Sequence, residues 1–188
     1  LHFEEIERRL VAGVHNAMND IRHTSGDASR SEAERAKTYW LSYGAGVNST
    51  ALLILLATGK LPQYTPFRVL FSDTKTERPE TYSYLVRMNA WCKEHGVVIE
   101  TCQPKEGVLE RWQRLSITGS RLLRSCTVES KIKPMEQYFN EHGAAGDPKL
   151  IGIHAGEMHR AKPARDGERQ RIYPLVDLDI DHDGCQQS

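Results

Sequence analysis

The chain has 188 residues, 25 Lys plus Arg against 25 Asp plus Glu, 39% hydrophobic residues and four Cys. That composition excludes a disordered chain, a collagen-like repeat and a disulfide scaffold, and it predicts one globular unit able to bury about two-thirds of its surface. With charge balanced overall, nothing pulls the whole molecule toward a polyanion or a membrane, so any anion binding has to come from a local cluster.

No apolar run approaches the roughly 20 residues of a bilayer span; the longest is Ala51 to Ala57, and the stretch from Leu1 to Asp20 is too charged for a signal peptide. Cys92, Cys102, Cys126 and Cys185 are widely spaced and form no CxxC pair, which speaks against a zinc site and a secreted framework. The expectation is a cytoplasmic protein with reduced thiols and no membrane partner.

Phe3, Ile6, Leu10, Val14, Ala17, Met18 and Ile21 recur at helical spacing among charges, predicting an N-terminal amphipathic helix. The Ser-, Gly- and charge-rich stretch from His23 to Lys37 reads as a linker, so that 1–37 precede a domain over 38–188. From Thr38 short apolar runs alternate with amphipathic segments. Tyr39–Ser42 reads as a strand, Tyr43–Asn48 as a Gly-rich turn, and Ser49–Thr58 as a helix stopped by Gly59 and Pro62. Phe67–Ser72 is the second strand. Pro79 suits a first helical turn, and Tyr84, Leu85, Met88, Trp91 and Cys92 form one stripe ended by Gly96. Val97–Thr101 reads as the third strand, Leu109–Leu115 and Lys131–Glu141 as helices, and Leu150–Ile153 as a fourth strand. This rhythm predicts an α/β fold, a mostly parallel sheet with helices on both faces. Ligands of such sheets sit beyond the carboxyl ends of the strands.

The strongest chemical signal is Ser42-Tyr43-Gly44-Ala45-Gly46-Val47-Asn48-Ser49-Thr50, where a buried strand gives way to a helix. Small residues let the backbone approach an anion, and free amides at a helix start add partial positive charge and hydroxyls. It is neither a Walker A loop nor a dinucleotide GxGxxG. A tight strand-to-helix turn capped by Ser49 is the alternative on spacing alone.

Gly44-Ala45-Gly46-Val47-Asn48-Ser49-Thr50 resembles the SGGxDS/T pyrophosphate loop of the adenine nucleotide alpha-hydrolase-like superfamily, in its phosphoadenosine phosphosulfate (PAPS) reductase-like branch. Three further segments agree in order. Phe71-Ser72-Asp73-Thr74 with Glu77, Pro79, Glu80, Thr81 and Tyr82 is similar to FxDTGxExPETY. Arg124-Ser125-Cys126-Thr127 with Lys131-Ile132-Lys133-Pro134 is similar to an Arg/Cys-then-KxxP segment, and Gly152 to Glu157 with Arg160 to GxRxxES..R. Tyr173-Pro174-Leu175 and Asp177 resemble a closing YPLxD. Val47-Asn48 stand where many relatives carry Lys-Asp, Gly44 replaces the motif's first Ser, and no ECGLH-like tail is present. Phage-type relatives continue into a Cys-rich stretch, so the resemblance implies a C-terminally truncated domain.

The resemblance implies a PP-loop fold that binds ATP, or PAPS, with Mg2+. It assigns the nucleotide to Ser42, Gly44, Ala45, Gly46, Asn48, Ser49, Thr50 and Asp73, the metal to Asp73, and the neutralisation of developing charge to Lys131, Arg160 and Arg124. A turn-forming role is the alternative for Asp73. Two chemistries follow: attack of a substrate atom on the ATP α-phosphorus with release of pyrophosphate, or attack of a thiol on a sulfonucleotide. A non-catalytic ATP-binding subunit of a nucleic-acid modification or defence complex is the rival from another class, Val47 and Asn48 speaking for it. The partners are an adenine nucleotide and an unidentified acceptor, with a protein partner, a second copy of the chain or a nucleic acid as further alternatives.

Two basic runs, Lys105 to Lys133 and Arg160 to Arg171, read as anion-attracting surface or solvated face, the second as a loop able to close over a substrate. Cys126, beside Arg124, is a candidate nucleophile or sulfur carrier. Cys92 and Cys102 read as packing residues, and His154 and His159 as polar loop residues.

Overall fold

The computed structural model describes residues 37–116 and 127–186. The N-terminal helix expected over 3–21, the linker to 36, Arg124 and Cys126 lie outside the described residues. Five parallel strands, β1 (Tyr39–Tyr43), β2 (Phe67–Ser72), β3 (Ile99–Cys102), β4 (Lys149–Ile151) and β5 (Arg171–Ile172), form one sheet in the order β3-β2-β1-β4-β5. Register is set by Leu41 opposite Val69 and Leu150, and by Val69 opposite Ile99. The helices are α1 (Val47–Ala57), α2 (Pro79–Glu94), α3 (Val108–Leu115), α4 (Lys133–His142), α5 (Pro174–Asp177) and α6 (His182–Gln186).

Alternation along the strands decides the layers. Leu41, Tyr43, Val69, Phe71, Ile99 and Leu150 join α1 and α2 in one buried cluster, whereas Trp40, Leu70 and Cys102 meet Phe139 of α4 on the opposite face. The α/β sheet with helices on both faces therefore holds as read from the sequence. Every residue of α1 from Ser49 to Leu56 is buried. A helix apolar on all sides needs cover on its outer side as well as from the sheet, and α5 and α6 supply it through Leu175 and Cys185. Burial pushes the Cys92 and Cys185 thiols up to about 11.

The end of the sheet away from the strand carboxyl termini is pinned by charge. Buried Asp147 accepts the Thr38 and Ala144 amides at 3.1 and 2.7 Å. Arg169 donates to the Phe139, Ala144 and Asp147 carbonyls, placing a cation on the C-terminus of α4. Lys149, almost wholly enclosed, pairs with Glu136. Arg68 grips Glu100 through two nitrogens and lies 4.2 Å over the Trp40 ring.

Several boundaries differ from the sequence expectation. α1 begins at Val47 rather than Ser49, because Gly46 is the N-cap and Val47 and Asn48 already belong to the first turn. The helix expected over Lys131–Glu141 is preceded by a π-helical turn, Val128–Ile132, and begins at Lys133. β3 and β4 are displaced by one or two residues, to Ile99–Cys102 and Lys149–Ile151. Among the described residues no helix is long and apolar enough to cross a membrane.

Candidate functional site

The strand order reverses between β1 and β4, since β2 and β3 lie on one side of β1 and β4 and β5 on the other. Loops leaving adjacent strands part at such a point and leave a crevice at their carboxyl ends. A cleft of about 750 Å³ opens there, lined by Ser42, Gly44 and Gly46, by Val47, Asn48 and Ser49 of α1, by Ile151 and Gly152 after β4, and by His154, Glu157, Arg160 and His182. That volume lies within the roughly 300–1,000 Å³ range of small-molecule sites.

The turn from β1 into α1 is built for an open helix start. Ala45 takes a left-handed backbone at φ 53, which sharpens the reversal and which alanine tolerates better than a branched residue. The N-cap Gly46 contributes no side-chain bond, and no acidic residue occupies the first turn of α1. The first intrahelical bond is Thr50 N–H to the Gly46 carbonyl at 3.0 Å, so the amides of the first turn lack partners within the helix. The Ser49 hydroxyl donates to the Gly46 carbonyl at 3.0 Å and accepts the Gly44 amide at 3.3 Å, bracing the turn from inside. Gly152 explains why β4 can come so close: a Cβ there would stand 2.8 Å from the backbone nitrogen and Cα of Ser49.

Of the nucleotide-binding residues expected from the sequence, the fold brings Ser42, Gly44, Gly46, Asn48 and Ser49 together on the cleft, with Arg160 on its far wall. Ala45 shapes the turn without lining the cleft. Thr50 faces the other way: its hydroxyl accepts the Tyr84 hydroxyl at 2.9 Å and shares a 3.3 Å bond with Tyr43. It joins α1 to α2 and β1, and burial raises the pKa of both phenols.

Asp73 and Lys131 stand at the end of β2, outside the cleft lining. Asp73 Oδ1 accepts the Lys75 amide and the Tyr82 hydroxyl, each at 2.8 Å, and Oδ2 accepts Gln103 at 3.0 Å. Each carboxylate oxygen already has a protein donor, the pattern of an Asx turn. Among the described residues no three His, Cys, Asp or Glu gather at metal-binding distance. Asp73→Asn should lower stability by about 1 kcal/mol and leave nucleotide affinity within about twofold; a calorimetric loss of affinity with unchanged melting would instead put Asp73 on the nucleotide.

The cations are neutralised in place. Lys131 lies 2.8 Å from Glu77, which also accepts the Thr74 hydroxyl at 3.0 Å. Arg160 lies 2.5 Å from Glu157, and that bond holds the Glu157 carboxyl below the usual range. The first basic run is likewise cross-paired, Arg111 and Lys133 with Glu129 and Arg114 with Glu106. The second divides between the two ends of the sheet, Arg160 at the cleft and Arg169 beneath α4, while the Tyr173 hydroxyl clamps the backbone of Lys162. Glu157, Ile151 and His182 complete the walls; Glu157 lies in the Gly152-to-Arg160 segment similar to GxRxxES..R, whereas the sequence carries no site signal for Ile151 or His182.

A model of the phosphoadenosine phosphosulfate reductase domain matches residues 38–178, three-quarters of the chain. The chain belongs to that family. The match begins at β1 and ends just after α5, so it includes the whole sheet and every cleft-lining residue except His182. A solved U34-tRNA thiolase, NcsA from Methanococcus maripaludis with its [4Fe-4S] cluster, aligns at TM-score 0.59 and 14% identity, covering 97% of this chain and 61% of its own. A phosphoadenylyl-sulfate reductase from Candida auris in complex with phosphate aligns at TM-score 0.49 and 18% identity, covering 99% of this chain and 84% of its own. The thiolase likeness bears on the fold alone. Comparison with curated proteins gave no match.

Proposed function

We propose that this PAPS reductase family member is an adenine-nucleotide-dependent enzyme in which a substrate atom attacks the α-phosphorus of ATP. The new bond joins the acceptor to AMP, and the bond to the leaving pyrophosphate breaks. The observation behind this reading is the uncapped start of α1 opening into the cleft at the β1/β4 switch point, with backbone donors, the Asn48 amide and the Ser42 and Ser49 hydroxyls around it. Such fixed donors hold phosphate oxygens without reorganising as charge moves onto the leaving group. Arg160, which lines the cleft, acts on the phosphates after exchanging Glu157 for them.

Thiol attack on a sulfonucleotide has less support among the described residues. Cys92, Cys102 and Cys185 are buried away from the cleft lining, and burial raises all three thiols, so none supplies a thiolate near neutral pH.

The test is calorimetric titration with ATP and, in parallel, with adenosine 3′,5′-bisphosphate, followed by assay of pyrophosphate release with candidate acceptors. The expected result is saturable ATP binding with a preference over the bisphosphate. Preference for the bisphosphate would restore the sulfonucleotide reading, and binding of ATP without pyrophosphate release under any acceptor would favour a nucleotide-sensing subunit. Absence of binding by either ligand would overturn the nucleotide site itself.

A further inference from the structure

The cleft that this reading assigns to a nucleotide has little standing positive charge to meet one. Among its described lining residues Arg160 is the one permanent cation, and Glu157 cancels it at 2.5 Å. What remains are two imidazoles brought together from distant parts of the chain, His154 after β4 and His182 at the start of α6, their rings 5.4 Å apart. His154 is mostly enclosed, 12% exposed, and its Nδ1 is buried without a hydrogen-bond partner. An unpaired ring nitrogen costs about 1–3 kcal/mol, and it persists here on the wall of an open polar cleft. Its Nε2 lies 3.7 Å from Glu157, whose other oxygen holds Arg160.

We infer that this cleft takes up a proton with its anionic ligand, on the His154–His182 pair, and that these two residues are recognition elements for the phosphate charge. The inference rests on the nucleotide reading above and adds a binding role for two side chains outside the pyrophosphate-loop segment. The charge count gives the direction. With His154 neutral, the His154–Glu157–Arg160 group sums to zero; with His154 protonated it carries one net positive charge. A protonated His154 also gives Glu157 a second cation, which frees Arg160 for a phosphate oxygen. Imidazole is the side chain whose charge changes between about pH 5 and 8, which sets the range over which the test is made.

Other groups near the pair do not supply this charge. The loop and first turn of α1 contribute Val47, Asn48 and Ser49, and β4 contributes Ile151, none of them titratable. On the turn carrying Glu157 and Arg160, His159 adds a favourable field at Glu157. Beside His182 stand Asp181, which accepts the Gly184 amide at 2.7 Å, and Asp183 in the first turn of α6. Asp177 of α5 acts on Tyr64.

The sign follows. A ligand that stabilises the protonated imidazoles binds at full strength at low pH, and its affinity falls as pH rises through the window between the free and bound titrations. The experiment is calorimetry of α,β-methylene-ATP binding at pH 6, 7 and 8, each in two buffers of different ionisation enthalpy, for the wild type, His154→Asn and His182→Asn. Proton exchange by the ligand is common to all three proteins and cancels in the comparison. The expected result is greater proton uptake by the wild type and an affinity that falls more steeply with pH than in either variant, by about tenfold per pH unit wherever one proton is bound per ligand. His182 is exposed, so its variant tests the inference even where His154→Asn lowers stability. Equal proton uptake and equal pH slopes in wild type and variants overturn the inference while leaving the nucleotide site intact. Absence of nucleotide binding by the wild type at any pH overturns the site reading and the inference together.

Discussion

Gly46→Val should abolish nucleotide binding while leaving the protein folded. The backbone at Gly46 is extended, φ −95 and ψ 167, a conformation any residue adopts. A Cβ built there meets nothing within 4 Å, and because Gly46 lines the cleft, that open space is the volume a phosphate group would fill. Valine would therefore place two methyl groups in front of the first-turn amides of α1 without touching the core. The loss of affinity should exceed about 100-fold, equivalent to roughly 2.7 kcal/mol. The effect on stability should stay near or below about 1 kcal/mol, the difference between a glycine and a β-branched N-cap. Calorimetric titration with ATP, paired with thermal melting, reads both quantities. Unchanged affinity would move the nucleotide off the loop. A collapse in melting would show that Gly46 serves the fold in a way its open surroundings do not reveal. Gly46→Ser makes a graded control, since a hydroxyl at the N-cap can bond the helix amides and compete with an anion for them.

The contrast between Gly46 and its neighbours shows how far the sequence alone reaches. Phe67–Ser72 was legible as a buried strand to the residue because its apolar run is bounded by polar and Pro-containing turns. The start of α1 was misplaced by two residues because Ser49 has the chemistry of an N-cap, whereas the fold uses Gly46, which leaves no side-chain signature. β5 has two residues, too few for any period to show. The pairings of Lys131 with Glu77 and Arg160 with Glu157 changed the meaning of both cations. The first joins segments remote in sequence, and a charge count cannot see its partner. Thr50 was grouped with Ser49 by adjacency, yet one step along a helix turns a side chain by about 100°, which carries its hydroxyl from the cleft side toward Tyr43 and Tyr84. His182 reaches the cleft only because α6 covers α1.

Gly152→Ala should damage stability and nucleotide binding together. One added methyl group would come to 2.8 Å from both the nitrogen and the Cα of Ser49 and to 3.0 Å from the Asn48 carbonyl carbon, all backbone atoms in the first turn of α1. No side chain can swing aside to relieve that contact, so the segment after β4 and the start of α1 must separate by a few tenths of an ångström or more. Overpacking of this kind costs about 1–3 kcal/mol, which lowers the melting temperature by roughly 2–12 °C in a domain of this size. The same displacement moves the amides that face the cleft, so ATP affinity should fall about tenfold or more in the protein that remains folded. Gly143→Ala supplies the control that separates the two effects. Its Cβ would meet the Phe139 carbonyl oxygen at 2.8 Å and Trp40 Nε1 at 3.0 Å, an equally severe clash at the opposite end of the sheet. It should lower melting by a similar amount and leave the affinity of the folded fraction unchanged. If both glycine variants lost ATP binding equally, affinity would be tracking global stability rather than the junction between β4 and α1. If Gly152→Ala bound ATP normally despite a lower melting temperature, the geometry at that junction would have no part in holding the phosphates.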